Sequence, residues 1–191
     1  AKVMLKPFGT NPKHVLLGVL LVIGIFSMFM SNTATAAMML TFLTPILLTL
    51  PADGGGRISL ALAIPIAANI GGMGTPIGTP PNAIALGALQ EAGYNITFVD
   101  WMVRMVPFVV VMLLIAWVLL FKMFPFKAKS IELNIEAKPT KTTPFQKYVV
   151  WVTFALTIVL WMGEQWIGIN SNIVAMIPFA VFSATGILKA R

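Results

Sequence analysis

The sequence predicts an all-α fold: a polytopic membrane protein with a re-entrant helical hairpin and a broken transmembrane helix. Three observations predict it. Apolar side chains make up 58% of the chain and charged ones only 10%, and the charges gather at the ends of apolar runs. A run such as 103–121 is the right length to cross the hydrocarbon core of a bilayer. Two polar breaks, Ser31-Asn32-Thr33 and the Gly/Thr/Pro-rich stretch 71–82, interrupt such runs close together in sequence. Lipid tolerates non-helical backbone only where protein or a water-filled cavity covers it. The two breaks are therefore expected to be halves of one buried polar site, since interrupted helices mark ligand sites in membrane proteins.

Composition narrows the field of functions. The chain has a net charge of +7, but its basic residues sit at helix ends and in loops, the pattern of the positive-inside rule. No basic stripe interleaved with aromatics points to nucleic acid. There is no cysteine, hence no disulfide framework, thiolate nucleophile or Cys-based metal site. Asp53, Glu91, Asp100 and Glu164 fall in loops without a paired partner, so an enzyme is not expected.

Taken in order, residues 1–13 carry Lys2, Lys6 and Lys13 among apolar side chains and suit a membrane-surface connector. Segments 14–30 and 34–50 are apolar arms of about 25 Å each, short of the roughly 30 Å core. They form either a re-entrant hairpin, 14–50, with Ser31-Asn32-Thr33 at its tip, or two short spans. Both feet, Lys13 and Arg57, are basic, which assigns them to the cytoplasm. Residues 51–57 read as a turn without the ending of a phosphate loop. The stretch 58–92 then crosses as a broken helix with halves 58–70 and 82–92. A short external loop, 93–101, leads to a transmembrane helix at 102–124. Residues 125–146 form a cytoplasmic linker in which Lys127, Lys129, Lys138 and Lys141 outnumber Glu132 and Glu136. Residues 147–166 cross again, with Trp151, Trp161 and Trp166 as interfacial anchors. A turn at 168–172 leads to 173–188 and a basic end, Lys189 and Arg191.

The residue types at the breaks suggest paired cation and anion binding. A helix starts after each break, near Ala34 and at Pro80, and proline is favoured at first helical positions. Two helix N-termini aimed at one place favour an anion, and Asn32, Thr33 and Thr79 add hydrogen-bonding side chains. With no Lys or Arg in either motif, an anion at membrane depth needs a partner cation. Ser27 lies one turn before Ser31, and the two hydroxyls can share a helix face. With Asn32 and the carbonyls freed at Gly78 they make an oxygen-only cage that suits a hard cation, sodium before any soft metal. Small and hydroxyl residues in membrane helices also serve close packing; the pairing of the two breaks is what favours a site.

The stretches 27–36 (Ser-Met-Phe-Met-Ser-Asn-Thr-Ala-Thr-Ala) and 68–82 (Ala-Asn-Ile-Gly-Gly-Met-Gly-Thr-Pro-Ile-Gly-Thr-Pro-Pro-Asn) resemble the divalent-anion:sodium symporter family. The resemblance implies an elevator-type secondary transporter, a homodimer built from two inverted repeats in the cell (inner) membrane, with the N-terminal end of this chain cytoplasmic. It assigns 14–124 to a moving transport domain and 147–191 to the first scaffold helices of the second repeat. It implies sodium as the coupling ion, held by Ser27, Ser31, Asn32 and Gly78. It implies dicarboxylate binding, of succinate, malate or fumarate, by Ser31, Asn32, Thr33, Thr79 and Pro80. A dicarboxylate exchanger or a sodium:sulfate symporter is the alternative within the same family. Because a second Ser-Asn-Thr hairpin is absent from this sequence, the chain is expected to be a piece of a longer transporter, holding half the site and not transporting alone. Thr35, one turn into the second arm, is expected to tolerate alanine better than Asn32 does.

Overall fold

The computed structural model of the chain describes residues 5–128, 130–131, 143–168 and 171–187. Among them the regular elements are helical: α1 (Pro12–Ser27), α2 (Asn32–Thr49), α3 (Gly55–Gly72), α4 (Pro80–Glu91), α5 (Phe98–Met123), α6 (Pro144–Met162), the single turn α7 (Glu164–Ile167) and α8 (Ser171–Ala184). Of the expected charges, Lys2, Lys129, Glu132, Glu136, Lys138, Lys141, Lys189 and Arg191 lie outside the described residues.

Several helices begin earlier than hydropathy suggests, because caps rather than apolar runs start them. Thr97 and Asp100 form a reciprocal capping box, so α5 starts at Phe98, inside the expected loop 93–101. Thr143 and Gln146 do the same for α6, with Pro144 at its first position, so its first turn lies within the expected linker. Helix α3 starts at Gly55, within the expected turn 51–57. Of the three tryptophans expected at the membrane interface, Trp151 and Trp166 are exposed, but Trp161 is not: it is buried and stacks on Phe98 with ring centroids 4.7 Å apart.

Helix α1 is the centre of the core. Its Leu16, Val19, Leu20 and Ile23 are wholly buried, and it packs chiefly on α3, with α2 and α5 alongside. The α1 and α3 backbones meet at Gly24 and Gly71. A Cβ on Gly71 would fall on the Gly24 main chain, so this crossing requires glycine, in the way small residues let membrane helices approach. On its far side Gly24 is covered by Leu113 of α5, whose Cδ1 lies 2.8 Å from where a Gly24 Cβ would stand. Leu113 is near the middle of the 26-residue α5. The first break, one turn beyond Gly24, lies toward the start of α5: Phe29 stacks on Trp161, which stacks on Phe98, the first residue of α5.

The outer surfaces are apolar. Asn32–Thr49, Phe98–Met123 and Pro144–Met162 are each long and apolar enough to cross a membrane. Helix α6 buries Thr153, Thr157 and Trp161 and exposes Val152, Leu156 and Val159, polar inward and apolar outward, as suits a helix whose solvent is lipid.

The basic segments collect at the end of α1 opposite the breaks. The Ile131 N–H donates to the Thr10 carbonyl at 2.8 Å, and the Trp117 indole donates to the Lys13 carbonyl at 2.9 Å. The Lys13 ammonium stands 4.8 Å from the centre of the Phe121 ring. The Phe126 ring covers Gly56, at the foot of α3. The first connector, the start of α3 and the start of the linker thus share one end of the molecule, as expected of segments on one side of a membrane.

Candidate ligand site at two helix breaks

The two breaks meet. Helix α1 ends at Ser27 and α2 begins at Asn32, with Ser31 as its N-cap; the Ser31 hydroxyl accepts from the Ala34 N–H at 3.3 Å. The second break runs over 73–79, between α3 and α4. The buried Thr75 hydroxyl donates to the Met28 carbonyl and so ties one break to the other.

At the junction stands a pair of oxygens. Ser27 is wholly buried, and its Oγ lies 2.6 Å from the Ala68 carbonyl and 3.0 Å from Asn32 Oδ1. A serine hydroxyl has one hydrogen, so it serves only one of these acceptors at a time, and the Ala68 carbonyl is the nearer. With the hydrogen there, Ser27 Oγ and Asn32 Oδ1 face each other lone pair to lone pair, an arrangement that a cation relieves. The Asn32 amide is oriented by its other end, which donates to Asn69 Oδ1 at 3.1 Å. Gly72 is the wall beside it: a Cβ there would overlap Asn32 Oδ1.

The two breaks differ in what they offer a ligand. At the first, the Asn32 and Thr33 N–H groups open a helix and take no hydrogen bond among the described residues, which suits an anion. At the second, α4 opens with Pro80 and Pro81, which have no N–H, and the Asn82 N–H is taken by the Thr79 carbonyl at 3.0 Å. The expectation that both helix starts present free N–H groups is therefore corrected for the second. That start offers only the helix dipole and the Thr79 hydroxyl, which makes no cap bond of its own.

Of the residues picked from the sequence, the structure brings Ser27 and Asn32 into direct contact. Ser31 caps α2, and Thr33 is exposed beside it. Gly78 packs so closely on Gly72 that a Cβ would overlap the Gly72 carbonyl oxygen; its own carbonyl accepts no hydrogen bond among the described residues. Thr79 is half-buried and Pro80 exposed at the start of α4. Residues that the sequence reading passed over include Asn69, Thr75, Asn82 and Trp101. Asn82 donates to the Gly72 and Thr75 carbonyls, both at 2.8 Å, and the Trp101 indole donates to the Met73 carbonyl at 3.0 Å. The polar character of Asn69 in an apolar helix was a usable signal; nothing local marked Trp101. No group of three or more His, Cys, Asp or Glu side chains gathers to hold a metal among the described residues.

A polar junction of two interrupted helices inside an apolar helical bundle is the arrangement in which membrane transporters form their ligand sites. The chain belongs to the citrate transporter family (CitMHS), which it matches over residues 1–190, in keeping with the symporter resemblance of its two motifs. It is 35% identical over 189 residues to the low-affinity phosphate transporter PHO90 of Saccharomyces cerevisiae, covering 96% of this chain and 21% of the relative. It is 30% identical over 185 residues to the sodium-dependent dicarboxylate transporter SdcS of Staphylococcus saprophyticus, covering 86% of this chain and 35% of the relative. It is 31% identical over 185 residues to the sodium-dependent high-affinity dicarboxylate transporter 3 of Caenorhabditis elegans, covering 83% and 32%. The chain thus spans between about a fifth and about a third of the length of these relatives.

Proposed function

We propose that the protein containing this chain is a secondary transporter that couples sodium entry to uptake of a small dicarboxylate such as succinate, malate or fumarate. The observation that carries this is the Ser27–Asn32 oxygen pair, one hydrogen short of a satisfied contact. Sodium binds there, with the Gly78 carbonyl and Ser31 completing its shell. The ion's charge, beside the free N–H groups of Asn32 and Thr33, then makes the site fit for a carboxylate, which also meets Thr79 and Pro80. Asn32 serves both ligands, and so ties the binding of one to the other. The sodium-dependent dicarboxylate relatives support this reading.

In this proposal 14–50 is a re-entrant hairpin, a reading supported by the shortness of α1, 16 residues against a bilayer core of roughly 30 Å. Residues 14–124 move as an elevator against a scaffold that 147–191 begins, in a homodimer of inverted repeats whose remainder supplies the other half of the site. The basic end near Lys13 faces the cytoplasm of a cell whose inner membrane holds the protein.

A second reading is sodium-driven phosphate uptake, favoured by the identity to PHO90; sulfate stands behind it. The test is uptake of labelled succinate into proteoliposomes holding the full-length protein, with and without an inward sodium gradient. Sodium-dependent accumulation, competed by malate and not by phosphate, is the expected result. Competition by phosphate or sulfate moves the substrate assignment, and uptake indifferent to sodium replaces symport with exchange.

A further inference from the structure

The break between α3 and α4 strands carbonyl groups in a buried place, where an unpaired carbonyl is costly. Two side chains from outside the break take three of them. One Asn82 amide nitrogen, with its two hydrogens, serves the Gly72 and Thr75 carbonyls at 2.8 Å each. The Trp101 indole serves the Met73 carbonyl at 3.0 Å. Asn82 is buried at the third position of α4, and Trp101 sits in the first turn of α5, next to the Asp100 of its capping box.

Neither side chain hydrogen-bonds to Ser27 or Asn32. Each acts on the main chain of 72–75, and that main chain is the wall of the oxygen pair: Gly72 abuts Asn32 Oδ1, and Gly78 abuts the Gly72 carbonyl. We infer that Asn82 and Trp101 are positioning residues for the cation site. They hold the 72–73 peptide planes so that Asn32 Oδ1 keeps its place beside Ser27 Oγ. They also occupy the Gly72, Met73 and Thr75 carbonyls, keeping these out of the ion's shell while the Gly78 carbonyl stays open to it. The inference rests on the sodium-symport reading above.

The experiment is initial uptake by the full-length protein in proteoliposomes, at saturating substrate, as external sodium is varied. Asn82→Ala, which removes both bonds to buried acceptors, is expected to raise the half-saturating sodium concentration about tenfold. Trp101→Phe keeps a ring and drops only the N–H, and is expected to raise it about threefold. The maximal rate per transporter stays within about twofold in both, because the groups that touch the ligands remain. A merely structural role gives the reverse, less protein or a lower maximal rate with unchanged half-saturation, and overturns the inference. If Asn82→Ala fails to reach the membrane, Trp101→Phe decides alone by the same criterion. A wild-type protein that ignores sodium removes the symport reading and this inference together; one that needs sodium, beside variants with unchanged half-saturation, removes only the inference.

Discussion

The two breaks do opposite work with the same kind of interruption. The first, at 28–31, is short and closes itself: Ser31 caps the helix that follows, and that helix opens with free N–H groups. The second, at 73–79, is longer and depends on distant side chains, with Asn82 and Trp101 taking its carbonyls and two prolines removing its N–H groups. The first break thus keeps free donors, while most polar groups of the second are already paired or absent. The difference teaches that helix breaks are not interchangeable anion holders. Here they divide the labour, and Asn32 sits where they meet, its oxygen toward Ser27 and its nitrogen toward Asn69.

The comparison breaks most severely at Gly72, where the breaks touch. Gly72→Ala puts a methyl on Asn32 Oδ1, and displacing a ligand-binding group by an ångström can lower rates by about a hundredfold. Sodium-driven uptake per transporter is expected to fall by that order, while Gly87→Ala, whose Cβ would meet nothing within 4 Å, leaves it unchanged. Normal uptake by Gly72→Ala would mean that Asn32 does not stand where the two breaks meet.

Asn32→Ala comes next. It removes an acceptor from the cation and a donor held by Asn69, and half-saturation for sodium and for substrate are both expected to rise about tenfold or more. A shift in one alone separates the two ligands and ends the shared role.

The two serines sharpen the contrast further. Ser27→Ala takes away half of the oxygen pair, and a rise of about tenfold in half-saturating sodium is expected, with substrate affinity at saturating sodium changed little. Ser31→Ala removes the cap of α2 and is expected to cost about 1 kcal/mol of stability, read as a lower melting temperature of the purified protein. A smaller rise in half-saturating sodium than in Ser27→Ala is expected beside it, and an unchanged sodium requirement would remove Ser31 from the shell and leave it only the cap.

The smallest effect is expected at Thr35. Its hydroxyl is buried and has no partner among the described residues, so Thr35→Val, of nearly the same shape, should alter stability by less than about 1 kcal/mol in either direction. Thermal unfolding checks this, and a large loss would reveal a hydrogen bond made by Thr35 in the assembled protein.

Much of this was legible in the residues. Hydropathy located α1, α2, α5, α6 and α8, and the Gly/Pro run located the second break, because lipid forces each apolar segment to satisfy its own backbone. The helix starts were less legible. Thr97 belongs to a triplet that resembles a glycosylation acceptor, and only its bond with Asp100 shows it to be a cap. Trp161 looked like an interfacial anchor, and its burial against Phe98 depends on a residue 63 positions earlier in the sequence becoming its neighbour.

For the candidate site, the sequence by itself determined that Ser27, Ser31 and Asn32 stand around one helix start, since local spacing sets their proximity. The lack of N–H groups at Pro80 and Pro81 was also written in the residue types, since proline has none, although both helix starts were expected to offer free N–H groups. Only the tertiary structure decided that Gly72 walls Asn32, that the Ala68 carbonyl competes for the Ser27 hydrogen, and that Asn82 and Trp101 hold the broken segment. The physical reason is that a stranded carbonyl accepts from whichever donor packing brings near it. Pattern along the chain can announce that such a carbonyl exists, but the donor is chosen by how α1, α3 and α5 pack.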